Sequence, residues 1–196
     1  MKILFCKVSY MKFYKGVSDS DKPMNGGAFV DEYGFGHEEF NFKPVALNGS
    51  ERCLGYVETK RTNQETNNQL HIEKINGCES CKTDSSVDDV LVVWCATREQ
   101  QSAVVVGWYK NATVYRNYEE NESLERRYNV LAGAEDCFLL PDRERNSNCW
   151  SVPLAKKTRA YGFGQSMLWY ANEDSAGEYV ENLVKCIEKY KEGSVL

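Results

Sequence analysis

Hydrophobic positions come in short runs separated by polar segments. Ile3–Val8 predicts an opening strand and Leu54–Glu58 a short second one. Gln69–Ile75 alternates apolar and polar residues with period two, as a half-buried strand does. Val90–Cys95 and Ala103–Tyr109 are rich in Val and Trp, and the polar Thr97–Ser102 stretch between them predicts a hairpin inside a sheet. Ala112–Arg116, Tyr128–Leu131, Cys137–Leu140 and Ser166–Tyr170 complete the predicted strands. The period then changes. Ser175-Ala176-Gly177-Glu178 has the form of a capping box, and Val180, Leu183, Val184 and Ile187 fall at i, i+3, i+4 and i+7. These residues predict a C-terminal amphipathic helix, with Gly193 placed to terminate it. Two long polar segments remain: Gly16–Asn41, rich in glycine and aromatics, and Asn117–Arg127, strongly charged and expected as a solvated loop.

The chain has 196 residues and neither repeats nor a Pro- or Gly-rich linker, so residues 1–196 are expected to form a single α+β domain. Apolar residues make up 42% and charged residues 27%, an ordinary balance for a folded globular chain. No apolar run approaches the ~20 residues of a membrane-spanning helix. The N-terminal Met1–Lys7 stretch lacks the apolar core of an export signal, so the expected setting is cytoplasmic, with reduced thiols. The net charge of −5 argues against indiscriminate coating of nucleic acid. Cations are nevertheless unevenly placed: Lys2, Lys7, Lys12 and Lys15 precede any acid, and Lys156, Lys157 and Arg159 precede Trp169.

Catalytic and metal motifs are incomplete. His37 and His71 are the two histidines, and neither accompanies a nucleophile elbow or a phosphate-binding glycine loop. Pro141-Asp142-Arg143-Glu144-Arg145 crowds acids between arginines and reads as surface ion pairs. Cys78-Glu79-Ser80-Cys81 has the spacing of half a zinc site but lacks a second close pair. The sequons at Asn48, Asn111 and Asn121 carry no weight without an export signal. No cofactor motif is found. The departure from average lies in the aromatics, 12% of the chain. Trp94, Trp108 and Trp169, with Tyr10 and Tyr170, are candidate walls for a flat ring; stacking is worth about 1–3 kcal/mol per base.

Several segments resemble an uncharacterised family of bacterial domains found at the N-terminus of some restriction endonucleases of HNH type. They are Ile3-Leu4-Phe5-Cys6 through Met11-Lys12 to Tyr14 and Gly16, Asn25-Gly26-Gly27, and Gly36-His37-Glu38 with Asn41-Phe42. Gly55-Tyr56-Val57, Asp88–Arg98, Val106–Arg116 and Gly164-Gln165-Ser166 with Trp169-Tyr170-Ala171 extend the match over nearly the whole chain. A more distant similarity is to the EVE and YTH branches of the PUA-like superfamily. That resemblance implies a bent β-barrel with surrounding helices and an aromatic cage that takes in a flipped, modified base. Where the distant pattern has Asn-x-x-Trp-Met, this chain has Lys7, Ser9 and Tyr10-Met11, which removes a base-edge hydrogen-bond partner and leaves Tyr10 as the ring.

The expectation is thus a non-catalytic reader of modified bases in DNA, in a restriction or phage-defence setting, with any nuclease supplied as a separate subunit. Trp94, Trp108, Trp169, Tyr10 and Tyr170 are its expected walls. Asn25, Gly26 and Gly27 would offer backbone groups, and Gln165 and Ser166 would read the base edge. Arg98, Lys12, Lys156 and Lys157 would hold phosphates. Two alternatives stand beside it: a pocket for a free nucleotide or other small ring compound, and an enzyme using His37 and Glu38.

Overall fold

A computed structural model describes residues 1–24, 36–59, 69–98 and 102–190. The Val- and Trp-rich runs become the two longest strands, β4 (Ser86–Thr97) and β5 (Ala103–Asn121), paired antiparallel. β1 (Ile3–Val8) lies parallel to β4, and the two-residue β8 (Leu168–Trp169) runs antiparallel along the far edge of β1. On the other side of β5 stand β6 (Arg126–Gly133), β3 (Ser50–Gly55) and β2 (Pro44–Leu47), all antiparallel. The order is β2-β3-β6-β5-β4-β1-β8, and β7 (Cys137–Leu139) continues the β6 side of β5 after a turn at Ala134–Asp136. This is a mixed, mostly antiparallel sheet with one C-terminal helix, α1 (Gly177–Lys189). The expected bent barrel is not what forms: the sheet does not close, and β2 and β8 are its two edges.

Apolar side chains leave the central strands on both faces, which is why β1, β4 and β5 read as nearly continuous hydrophobic runs. Leu4, Cys6, Val92, Trp94, Val106 and Tyr109 enter one core; Ile3, Phe5, Val93, Cys95, Val105 and Trp108 enter the other. The second core is covered by α1 through Leu183, Val184 and Ile187 and by a ring cluster in which Phe138 and Trp150 stack on Trp108, 5.0 and 5.5 Å between centroids. Fully burying one large apolar side chain contributes about 1.5–3 kcal/mol. Gly107 sits where β5 passes closest to β7; a Cβ there would overlap the Phe138 carbonyl and the Phe42 ring.

Several predicted elements change identity. Gln69–Ile75 is no strand: Ile72–Lys74 is a single 3-10 turn, and Leu70, Ile72 and Ile75, all 0% exposed, plug the first core. The alternation met a burial demand that a turn satisfies as well as a strand. The charged 117–127 stretch is not a loop, because β5 runs to Asn121 and pairs with β6 up to Asn121–Arg126. Apart from buried Arg126, its charges ride an exposed hairpin whose backbone hydrogen bonds do not depend on side-chain polarity. The capping box is not used either. α1 follows a 3-10 turn at Asp174–Ala176, its N-cap is Ala176 without a side-chain cap, and it ends at Lys189; Gly193 lies outside the described residues.

The expected reduced thiols are corrected at one pair. Cys149 and Cys186 form a disulfide with Cα atoms 6.5 Å apart, tying α1 to the turn that carries Trp150. Among the described residues, no helix is long and apolar enough to cross a membrane.

Candidate functional site

The tryptophans do not line a cage. Trp94 is 0% exposed and packs against Gly55 and edge-on to Tyr109, on the opposite face of the sheet from Trp108. Trp108 is 3% exposed, and its stacking partners are the chain's own Phe138 and Trp150. Trp169, 5% exposed, packs 4.5 Å from Phe5 and donates its indole N–H to Glu173 Oε2 at 3.0 Å. Its edge, with half-buried Tyr170, borders a shallow cleft of about 400 Å³ along β8, completed by Gly162, Leu168 and Ala171–Glu173.

A different group of predicted residues is brought together where β1 and β4, which run parallel, reach their carboxyl ends. Tyr10 follows β1 and Arg98 follows β4. The Arg98 guanidinium lies 4.8 Å from the centroid of the Tyr10 ring and donates to both oxygens of Asp142, at 2.9 and 3.1 Å. The Tyr10 hydroxyl donates to the same carboxylate. Burial pushes the Asp142 carboxyl up, but the Tyr10 hydrogen bond and the Arg98 and Arg145 charges outweigh it and hold the group below its ordinary value. Tyr10 is therefore buried scaffolding, 2% exposed, rather than a free wall.

The turn after Tyr10 is clamped from both sides. The Asp21 carboxylate, 3% exposed, accepts the backbone N–H groups of Lys12 at 2.6 Å and Phe13 at 2.7 Å. Arg145, 0% exposed, donates to the carbonyls of Met11 at 2.6 Å, Lys12 at 2.7 Å and Leu140 at 2.9 Å. Tyr14 closes the turn at φ 50°, and its buried hydroxyl donates to the Ser9 carbonyl at 2.7 Å. A left-handed conformation is uncommon for a bulky residue and persists where the surroundings over-determine it. Glu38 anchors the start of the turn by accepting the Ser9 N–H at 3.0 Å, and burial pushes its carboxyl up. What all this holds in place is exposed: Lys12 and Phe13, the latter 52% accessible, stand at the tip.

The surroundings fit the same end of the sheet. Met24, exposed, pairs by backbone with Tyr10, and Met167, also exposed, accepts the Lys7 N–H at 2.7 Å. That hydrogen bond sets exposed Gln165 and half-buried Ser166 next to the end of β1, although the Ser166 hydroxyl already accepts the Leu168 N–H at 3.1 Å. Lys156 and Lys157 are exposed on a small turn closed by Lys156 and Arg159, in a segment that begins beside Val104 of β5. Lys2 is elsewhere, at the start of β1, donating to the Asp88 carbonyl. Asn25, Gly26 and Gly27 lie outside the described residues.

The other chemistry does not assemble. His37 and Glu38 engage different elements: Glu38 reaches Ser9, while His37 packs 5.2 Å from the Tyr56 ring and its Nδ1 accepts the Arg127 N–H at 3.4 Å. Burial and the Arg127 and Arg126 charges push the His37 pKa down. Among the described residues, no three His, Cys, Asp or Glu side chains gather as metal donors; Cys78 and Cys81 sit on a tight turn, with the Cys81 N–H donating to the Cys78 carbonyl. The surface ion-pair reading of 141–145 is corrected. Arg143 with Glu144 is such a pair, but Arg145 is a buried clamp and Asp142 accepts from Arg98 and the Tyr10 hydroxyl. Sequence reasoning thus missed Asp21, Asp142 and Arg145. No local signal marks them, because Arg145 meets the carbonyls of Met11 and Lys12 from 134 and 133 residues away.

Fold and site together define an α+β chain with an open mixed sheet and a rigidly presented aromatic–cationic tip at the end of its parallel pair. No protein-family model matches the chain, and no curated protein or solved structure matches it either.

Proposed function

We propose that the chain is a non-catalytic nucleic-acid-binding module whose contact surface is the end of the sheet where β1 and β4 stop. Phe13 is the ring on which a base stacks, and Lys12 and Arg98 are the phosphate contacts. The observation that carries this reading is the clamped turn: two buried charged residues, Asp21 and Arg145, fix the backbone beneath an exposed lysine and an exposed phenylalanine. Preorganising a polar backbone for an exposed apolar ring lowers the ordering cost of binding and does little for the core. The net charge of −5 confines attraction for phosphates to such a local patch. In this reading the base that leaves the stack is a modified one, the setting is cytoplasmic and the nuclease is a separate partner.

Titration of single- and double-stranded oligonucleotides, with and without methylated bases, at two salt concentrations tests it. Phe13→Ala is expected to weaken binding by about 5- to 150-fold, the equivalent of one stacked base at 1–3 kcal/mol. Lys12→Ala is expected to lower the salt slope by about one. Absence of binding at low salt, or binding unchanged by both substitutions, counts against the proposal. Equal affinity for methylated and plain oligonucleotides removes the modified-base part alone.

The cleft beside β8 favours a second reading, a pocket for a free nucleotide or small ring compound. Its volume of about 400 Å³ suits one ring system, within the usual 300–1,000 Å³ of small-molecule sites. A mononucleotide that quenches tryptophan fluorescence equally in the parent and in Phe13→Ala selects this cleft over the clamped turn.

A further inference from the structure

Resting on the nucleic-acid reading of this end of the sheet, we propose that Asp142 is an anionic guard of Arg98. Its carboxylate occupies one edge of the guanidinium in the free chain and opposes the phosphate that Arg98 receives, so that it limits affinity. Arg98 is only half used. Its Nη2 donates to both Asp142 oxygens, at 2.9 and 3.1 Å, while among the described residues Nε and Nη1 reach no acceptor. The fork in which two nitrogens meet two oxygens is not formed, and that fork is the geometry a guanidinium offers a phosphate. The pair is partly open to water, with 26% of the arginine side chain and 33% of the aspartate side chain accessible. An ion pair this exposed adds little to stability and yields readily to a competing anion. The Tyr10 ring lies 4.8 Å from the guanidinium, so Arg98 keeps a second contact whichever anion it meets.

Asp142 has its own anchor. It accepts the Tyr10 hydroxyl and opens the 3-10 turn Asp142–Glu144. A phosphate arriving at Arg98 therefore meets a carboxylate that stays. At a separation of about 5 Å, two unit charges near a wet surface repel enough to weaken binding about three- to tenfold. The cluster also holds positive charge beyond this pair. Arg145, 0% exposed, directs its donors to the carbonyls of Met11, Lys12 and Leu140, and among the described residues it forms no ion pair. Its guanidinium lies 5.4 Å from the centroid of the same Tyr10 ring. Two guanidiniums thus meet one tyrosine, whose hydroxyl binds one carboxylate. Neutralising Asp142 leaves both cations, with exposed Lys12 on the adjoining turn, free of that opposing charge. A built-in repulsive element of this kind lowers affinity and disfavours indiscriminate anions.

The test is a double-mutant cycle on oligonucleotide affinity at low salt, with Asp142→Asn, Arg98→Ala and the two combined. Asparagine keeps the size of the side chain and an oxygen for the Tyr10 hydroxyl. Asp142→Asn is expected to tighten binding about three- to tenfold in the parent background, and by about twofold or less in Arg98→Ala. Weakened binding in Asp142→Asn makes the aspartate an anchor of the turn only and overturns the proposal. Equal tightening in both backgrounds assigns the gain to net charge and overturns it as well. If binding falls on Lys12→Ala and Phe13→Ala but does not respond to Asp142→Asn, the nucleic-acid reading stands and the guard is lost. If neither the parent nor Asp142→Asn binds, both are lost. Phenylglyoxal labelling with peptide mapping reads the parent chain even if a variant fails to fold. Arg98 is expected to label in the free chain and to be protected by saturating oligonucleotide; equal labelling in the two states overturns the proposal.

Discussion

The ring cluster under α1 and the turn at Ser9–Tyr14 are both rich in aromatics, yet they are held by opposite means. Under α1, Trp108, Phe138, Trp150 and Tyr190 hold one another, with centroids 5.0–5.7 Å apart and a disulfide alongside. The Tyr190 hydroxyl exits to Glu144 at 2.5 Å. At the turn, Tyr10 and Tyr14 are fixed by charged and carbonyl partners: Asp142, Arg98 and the Ser9 carbonyl. The first arrangement consumes its ring faces internally and leaves nothing for a guest. The second uses buried charge to fix a backbone and leaves Phe13 exposed. Aromatic density in this sequence therefore marks packing; what sets the turn apart is polar groups buried beneath an exposed ring.

This contrast can be broken most forcefully at Trp150. Trp150→Ala opens a cavity against Trp108 and is expected to lower unfolding stability by about 3–5 kcal/mol, read as a lower denaturant midpoint. Oligonucleotide affinity of the remaining folded protein should be unchanged, and its loss would join the two regions that are separated here. Asp21→Ala comes next. It leaves the Lys12 and Phe13 N–H groups without their acceptor, at a cost of about 1–3 kcal/mol. Hydrogen exchange at those two amides should quicken while Trp108 amide exchange holds. Equal quickening at both sites would show that the clamp is part of the global core.

The smallest effect is a pH dependence away from both regions. Burial pushes the Glu73 carboxyl up, but its backbone hydrogen bond and those from Arg116 and His71 prevail and hold it at about 2. A carboxyl lowered in the folded state stabilises above its unfolded value, and that contribution is lost as pH falls toward the folded value. Stability should therefore drop between about pH 4, the unfolded carboxylate value, and about pH 2. Glu73→Gln should narrow the difference between the two proteins across that window. A difference that stays constant with pH would assign Glu73 a packing role only.

The strands at 3–8, 90–95 and 103–109 and the C-terminal helix were legible because their apolar pattern reports burial directly, although β4 and β5 run on to 86–97 and 103–121. Gln69–Ile75 was misread because alternation records which side chains are buried, not the backbone that buries them. The 117–127 hairpin was misread because strand pairing uses backbone groups common to every residue. Of the residues singled out in the chain, Lys12 and Arg98 lie beside the clamped turn, whereas Tyr10, Trp94, Trp108 and Trp169, singled out as ring walls, are packed inside.

Local pattern alone settled that this chain alternates strands, ends in an amphipathic helix and carries more aromatic surface than an ordinary core. Tertiary structure alone decided that the sheet stays open, that Cys149 meets Cys186, and that Asp21, Asp142 and Arg145 converge on a turn far from two of them in sequence. The reason is physical. Periodicity is carried by neighbouring residues, but the exposure of a ring and the partner of a charge are set by whatever distant segment packs against them.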